Sequence, residues 1–191
     1  SDTYKPVLSW GAEGITASPD NGTVLQSSAH NGKAVTITYE GKTATTATLA
    51  VYETPQQTDG VYQIGTAGEL FWFAALVNGT LEGMAQNTAA NAVLTADIDL
   101  GGSKWTPIAP SATFKNDAPS VEETTDKSYS GTFDGQGHTI SNFEIRTNSA
   151  EKTSGLFGTV TGTIQNLGIV DASFDNGGDY DGRFGALCGL L

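Results

Sequence analysis

The 191-residue chain carries 21 acidic against nine basic residues, a net charge of −12, with 38% hydrophobic residues. So few cations exclude a phosphate backbone as a partner, and an acidic membrane surface is disfavoured on the same ground. The single cysteine, Cys188, rules out an intrachain disulfide, and no apolar run approaches the roughly 20 residues of a membrane span. Twenty-four glycines and frequent Thr, Ser and Asn favour a turn-rich, mainly β protein, as one large domain or two small ones.

Residues 1–56 read as a first β unit. Val7–Trp10, Gly14–Ala17 and Thr23–Leu25 are short β-type runs, the last two separated by the turn Ser18-Pro-Asp-Asn-Gly22. Lys33–Tyr39 alternates, with Val35, Ile37 and Tyr39 on one face. Glu40-Gly41 turns the chain and Lys42–Tyr52 returns as the second arm of a hairpin. The phrase Val35-Thr-Ile-Thr-Tyr-Glu-Gly-Lys-Thr-Ala-Thr45 resembles the close of bacterial immunoglobulin-like domains found in surface proteins. That resemblance implies a reduced immunoglobulin-like unit, because a full sandwich takes about 100 residues.

Residues 57–191 form a second unit, entered through the polar linker Thr54–Gly60. After a short strand at Val61–Ile64, a helix is predicted over about 66–78. Thr66 serves as N-cap, and Glu69 three residues on completes a capping box. Leu70, Phe71, Phe73, Ala74, Leu76 and Val77 give it a broad apolar face, and Asn78-Gly79 ends it. So apolar a helix suits the plugging of one end of a stack of β circuits. Ala92–Leu100 reads as a strand with Leu94, Ile98 and Leu100 inward. Gly101-Gly102 turns, Trp105–Ile108 begins another run, and Ser111–Ser128 is a long polar insertion of the kind that is functional or mobile.

The most informative stretch is Gly131–Ile169, which contains one phrase twice. Gly, Phe, Thr, Ile, Asn and Ile recur at 131/155, 133/157, 139/163, 140/164, 142/166 and 145/169, an offset of 24. Roughly one such identity is expected by chance. A period of this size, built from short β-type runs and turns, marks a solenoid. The offset predicts Ile140, Ile145, Ile164 and Ile169 inward, Ile140 stacked near Ile164, and Asn142 in register with Asn166. Ser154-Gly-Leu-Phe-Gly158 is echoed 31 residues on by Gly185-Ala-Leu-Cys-Gly189. The seven extra residues are assigned to the loop Asp175–Gly182. The chain closes inside an apolar phrase, Gly185–Leu191, which leads to the expectation that further circuits or a neighbouring chain cover that end.

Leu94-Thr-Ala-Asp-Ile-Asp-Leu100, Trp105-Thr-Pro-Ile108, Tyr129–Phe143 and Gly155-Leu-Phe-Gly158 together resemble the start of right-handed parallel β-helices carrying GLUG repeats in bacterial surface proteins. The resemblance spans residues 61–191. It implies a helix-capped, single-stranded solenoid and an extracellular or cell-surface location, and it supplies no catalytic residues.

No motif for chemistry stands out, and no catalytic or cofactor-binding residue is assigned. His30 and His138 lie far apart in sequence, and neither belongs to a zinc-binding pattern. No nucleophile elbow is present, and the Gly-rich 131–137 segment lacks the lysine and helix of a phosphate loop. Asp97, Asp99 and Asp134 are read as solvated strand or turn carboxylates, not as a glycosidase pair. The one metal candidate is the loop 175–182, where Asp175, Asn176, Asp179 and Asp181 offer closely spaced oxygens for calcium. No cofactor is otherwise required. Trp72 is assigned to the core, and the sequons Asn21-Gly-Thr23 and Asn78-Gly-Thr80 are read as turns.

The expected role is therefore a non-enzymatic stalk, adhesin or interaction module. Its expected partners are a surface protein or a glycan, with self-association near Leu191 as a further possibility. Two alternatives are the N-terminal part of a polysaccharide-binding or polysaccharide-processing β-helix protein, and a subunit of an extracellular assembly.

Overall fold

The computed structural model describes residues 9, 13–25, 27–30, 33–49, 51–110, 128–146, 153–175 and 183–190. The chain is mainly β, with several sheets. In the first unit, β1 (Thr16–Ser18), β2 (Ala34–Tyr39) and β3 (Lys42–Thr48) form an antiparallel sheet in the order β1-β2-β3. The expected hairpin is present, with Tyr39 opposite Lys42 across the Glu40-Gly41 turn. Of the three short runs expected before it, the middle one contributes β1 and Val24 makes an isolated bridge. Among the described residues this is one sheet, where an immunoglobulin sandwich packs two. A single turn of helix, α1 (Ser27–His30), lies against the main helix α2 (Ala67–Asn78).

The stretch read as a linker is structured. Gln56–Thr58 forms β4, antiparallel to β5 (Val61–Ile64) across an Asp59-Gly60 turn, and Val51 and Pro55 are buried. The boundary drawn at 56/57 thus falls inside β4.

Helix α2 begins and ends where its caps dictate. The Glu69 amide donates to Thr66 Oγ1 (3.2 Å), and Glu69 Oε2 accepts from the Thr66 amide (3.1 Å), closing the capping box. Gly79 adopts φ 71°, a left-handed geometry that suits glycine, and its amide bonds back into the last turn. Every residue from Leu70 to Val77 is buried. The helix therefore has no solvent face and forms part of the core.

From β5 onward the pairing is parallel. One side of the molecule is built from β5, β6 (Asn91–Leu94), β8 (Thr132–Asp134) and β12 (Thr163–Gln165). A second side stacks β7 (Ile98–Trp105), β9 (Thr139–Arg146) and β13 (Gly168–Asp175). A third pairs β10 (Thr153–Ser154) with β14 (Arg183–Phe184) and β11 (Phe157–Thr159) with β15 (Cys188–Leu190), with Ile108 bridged to Phe157 above them. Followed along the chain, the sides come round in three circuits beginning at β6, β8 and β12.

Inward-facing residues of these strands form the core. Leu94, Ile98, Leu100, Phe133, Ile140, Phe143, Ile145 and Phe157 are all 2% exposed or less. Phe73 of α2 sits over this interior, with its ring centroid 6.2 Å from that of Tyr129 and 5.9 Å from that of Phe133. Phe71 packs on Trp105 at 5.4 Å. The polar tips of the buried rings find carbonyls: Trp105 Nε1 donates to Leu156 O (2.9 Å) and Tyr129 Oη to Ala90 O (2.8 Å).

The register corrects the 24-residue period. Thr132, Phe133 and Asp134 pair with Thr163, Ile164 and Gln165, an offset of 31. Ile140 pairs with Ile169 and not with Ile164, an offset of 29, while Phe157 pairs with Cys188 at 31. The last two circuits thus pair at 29–31 residues and the first two at 40–42, the longer step carrying the 111–128 insertion, and the 31-residue echo of Ser154–Gly158 in Gly185–Gly189 matches the register. Residues 131–133 and 155–157 lie on different sides of the same circuit. Asn142 falls between pairs that place it opposite Asp171, not Asn166. All three take left-handed backbone (φ 57°, 50° and 52° for Asn142, Asp171 and Asn166). The repeated Asn therefore marks corners that need a positive φ, which Asn and Asp tolerate best after glycine. Of the four isoleucines expected inside, Ile140 and Ile145 are fully buried, and Ile164 and Ile169 are partly buried.

Candidate functional site

The corner between the first and second sides carries the densest polar network. The first two circuits turn there at an aspartate, Asp97 and Asp134, and each carboxylate accepts hydrogen bonds from the following circuit. Asp97 Oδ1 takes the Thr139 amide (2.9 Å) and lies 3.3 Å from His138 Nδ1. Further along, within the second side, Asp99 Oδ1 accepts from the Gly101 amide (2.8 Å) and from Asn142 Nδ2 (3.1 Å). Asp134 is the most heavily engaged. Its Oδ1 accepts from the Gln136 amide (2.9 Å) and Asn166 Nδ2 (3.1 Å), and its Oδ2 from Gln165 Nε2 (2.8 Å).

At Asp97 and Asp134 these bonds favour the ionised form. The Thr139 amide, helped by His138, keeps Asp97 below its ordinary carboxylate range despite slight desolvation. The Gln136 amide, then Gln165 and Asn166, do the same for Asp134. A carboxylate held ionised is poorly suited to the proton-donor half of a glycosidase pair. The sequence reading of Asp97, Asp99 and Asp134 as strand and turn residues fits this geometry, with the added role of joining successive circuits.

Beside this network lies a shallow, open depression lined by Asp134, Gln136, Gly137, Asn166, Leu167 and Gly168. Its chemistry is a carboxylate, two amides and exposed glycine backbone around one leucine. Such a surface can exchange hydrogen bonds with hydroxyl-bearing ligands.

The remaining candidates separate cleanly. Asp175 ends β13, and Asn176, Asp179 and Asp181, the rest of the proposed calcium set, lie outside the described residues, as does most of the 111–128 insertion. No group of three or more metal-ligating side chains occurs among the described residues. Trp72 is core, as expected, and so is Trp105. Asn78 donates to Pro107 O (3.0 Å) and accepts from the Ala109 amide (2.8 Å), tying the helix end to the third side. Burial pushes the Cys188 thiol above its usual range, away from thiolate chemistry. The corner network was missed in the sequence because the 24-residue offset aligns the wrong partners. The 31-residue offset puts Asp134 opposite Gln165 directly.

Among the described residues no helix is long and apolar enough to cross a membrane. No family model matches the chain, and no solved structure matches it. The chain is similar to halomucin of Haloquadratum walsbyi, with 31% identity over 157 residues that cover 76% of this chain, and it spans only 2% of that relative's length.

Proposed function

We propose that the chain is a segment of an extracellular or cell-surface protein. In this reading an immunoglobulin-like unit leads into a helix-capped, GLUG-type right-handed parallel β-helix, which works without catalysis as a stalk or adhesin-type module. The observation that carries it is the division between interior and exterior. Inward columns are aromatic and aliphatic, while the outward columns of the first side run Val61, Asn91, Thr132, Thr163 and Gln63, Val93, Asp134, Gln165. Those outward residues suit a long hydrated surface. The role calls for no cofactor. Similarity to halomucin supports the location. Antibody raised against the purified chain should label intact, unpermeabilised cells of its source, and labelling only after permeabilisation would overturn the reading.

A second reading, polysaccharide binding, rests on the depression at Asp134, Gln136 and Asn166. Its test is a glycan array. Binding that Asn166→Ala abolishes, with the fold intact, would establish it in place of a purely mechanical stalk.

A further inference from the structure

The first side, with β4 added, presents one outward face across five strands, β4, β5, β6, β8 and β12. Pairing sets its outward residues in two columns. One runs Thr58, Val61, Asn91, Thr132 and Thr163, and the other Gln56, Gln63, Val93, Asp134 and Gln165. Four of the chain's seven glutamines, Gln56, Gln63, Gln136 and Gln165, lie on this face or at its corner, far above their share of the sequence. A face that only had to stay hydrated could equally carry charges such as the Lys104 and Glu144 of the second side. In the two columns Asp134 is the only charge, and three donors already engage its carboxylate.

The amides of this face are half used. Gln63 Nε2 donates to Val61 O (3.0 Å), Asn91 Oδ1 accepts from the Thr132 amide (2.8 Å), and Gln165 Nε2 donates to Asp134 Oδ2 (2.8 Å). Each bond pins one atom of the side-chain amide. The other atoms, Gln63 Oε1, Asn91 Nδ2 and Gln165 Oε1, take no protein partner among the described residues. The face thus offers oriented donors and acceptors together, beside the exposed Thr132 and Thr163, while the half-buried Val61 and Val93 place methyl groups among them. Side chains already pinned lose little freedom when a ligand binds.

We propose that this face binds a neutral polysaccharide chain laid across the strands, along the stack. A sugar ring both donates and accepts through its hydroxyls, as the free amide atoms require, and its C–H faces suit the valine methyls. The net charge of −12 disfavours polymers that carry carboxylate or sulfate. A polyamine would need free carboxylates, and the one on this face is engaged. The columns repeat at the strand spacing of about 4.8 Å, close to the advance of one ring in an extended chain, so five strands offer about 19 Å, room for four or five rings. The proposal rests on the polysaccharide-binding reading and deepens it: the depression at Asp134, Gln136 and Asn166 becomes one end of a track that runs the length of the side.

The purified 191-residue chain is titrated calorimetrically with cello-, manno- and xylo-oligosaccharides of two to six rings, and with oligogalacturonates of the same lengths. One net hydrogen bond per ring predicts that affinity for a neutral series rises about five-fold with each ring up to four or five and then levels. Oligogalacturonates should bind more weakly at every length. Asn91→Asp keeps the oxygen that holds the Thr132 amide and puts a charge in the middle of the track. It should melt like wild type and bind the five-ring ligand at least about ten-fold more weakly. Gln63→Glu is the second variant and should do the same, while Glu144→Gln on the second side should bind like wild type. A folded Asn91→Asp or Gln63→Glu chain with wild-type affinity overturns the proposal. So does affinity that levels at one or two rings and is lost in Asn166→Ala alone, which would leave the depression as the whole site. Tighter binding of oligogalacturonates overturns the choice of a neutral ligand. No binding of any neutral series overturns the proposal and the polysaccharide reading together.

Discussion

Gly131→Ala tests the stacking of the circuits at one atom. A Cβ at Gly131 would lie 2.2 Å from the Ala90 carbonyl oxygen, 2.9 Å from its carbon and 3.0 Å from the Ala89 carbonyl carbon. All three are backbone atoms of the preceding circuit, so no side chain can swing aside. Relief requires the two circuits to part locally by about 1 Å, against a normal strand spacing of about 4.8 Å. Three bonds cross at that point: Ser130 N to Thr88 O (2.9 Å), Tyr129 Oη to Ala90 O (2.8 Å) and Thr132 N to Asn91 Oδ1 (2.8 Å). Stretching two or three of them at about 1 kcal/mol each, with a buried carbonyl left short of a partner, gives a loss of about 2–4 kcal/mol. For a chain of this length that lowers the melting temperature by about 5–15 °C. Gly137→Ala is the control. Gly137 has φ 86° and nothing within 4 Å of its Cβ position, so only the backbone conformation is strained, at about 1 kcal/mol. Thermal melts by circular dichroism compare the two. A Gly131→Ala chain that melts within 2 °C of wild type, or above Gly137→Ala, would refute the packing argument.

Truncating the plug should cost more. Phe73→Ala removes a fully buried ring packed on Tyr62, Tyr129 and Phe133, a loss of about 3–5 kcal/mol from a total of about 5–15 kcal/mol, read by urea titration. The carboxylates of Asp97 and Asp134 are held below their unfolded values, so their contribution is present above about pH 4 and fades as pH falls through the folded values. The double variant Asp97→Asn/Asp134→Asn should therefore flatten the acid limb of melting temperature against pH, and an unchanged limb would count against the corner network. Tyr129 is the alkaline counterpart. Burial raises its phenol well above the ordinary value, so stability is intact below about pH 10 and is lost above it. Absorbance near the phenolate band should show one of the six tyrosines ionising only with unfolding; complete, reversible ionisation of the folded chain would contradict its burial.

Local signals in the sequence translated directly into structure. Thr66, Glu69 and Gly79 set the helix within a residue of its true ends because capping is decided by neighbours in the chain. Leu94, Ile98 and Leu100 were correctly placed inside by alternation alone. The turn at Glu40-Gly41 likewise fixed the hairpin. Features that depend on contacts between circuits were not legible. Gln56–Thr58 is polar throughout, and only its partner β5 makes it a strand. The links from Asp97 to Thr139 and from Asp134 to Gln165 join residues 42 and 31 positions apart, and no local pattern announces them.

The duplicated phrase shows why the period went wrong. Gly131-Thr-Phe133 and Gly155-Leu-Phe157 resemble each other because both sit where the chain enters a side of the same circuit. Each needs a glycine whose Cβ would strike a neighbouring carbonyl, 2.2 Å away at Gly131 and 2.5 Å away at Gly155, and each sends a phenylalanine to the centre. Asn142 and Asn166 match because each is the left-handed residue at a different corner. Equal local demands thus recur several times per circuit, at spacings set by the length of a side. Stacking demands recur once per circuit, and they leave a fainter trace: glycine over glycine at 131/162 and 155/185. In a chain of this kind, the most conspicuous repeat reports the corners, and the pairs that forbid a Cβ in both members report the stack.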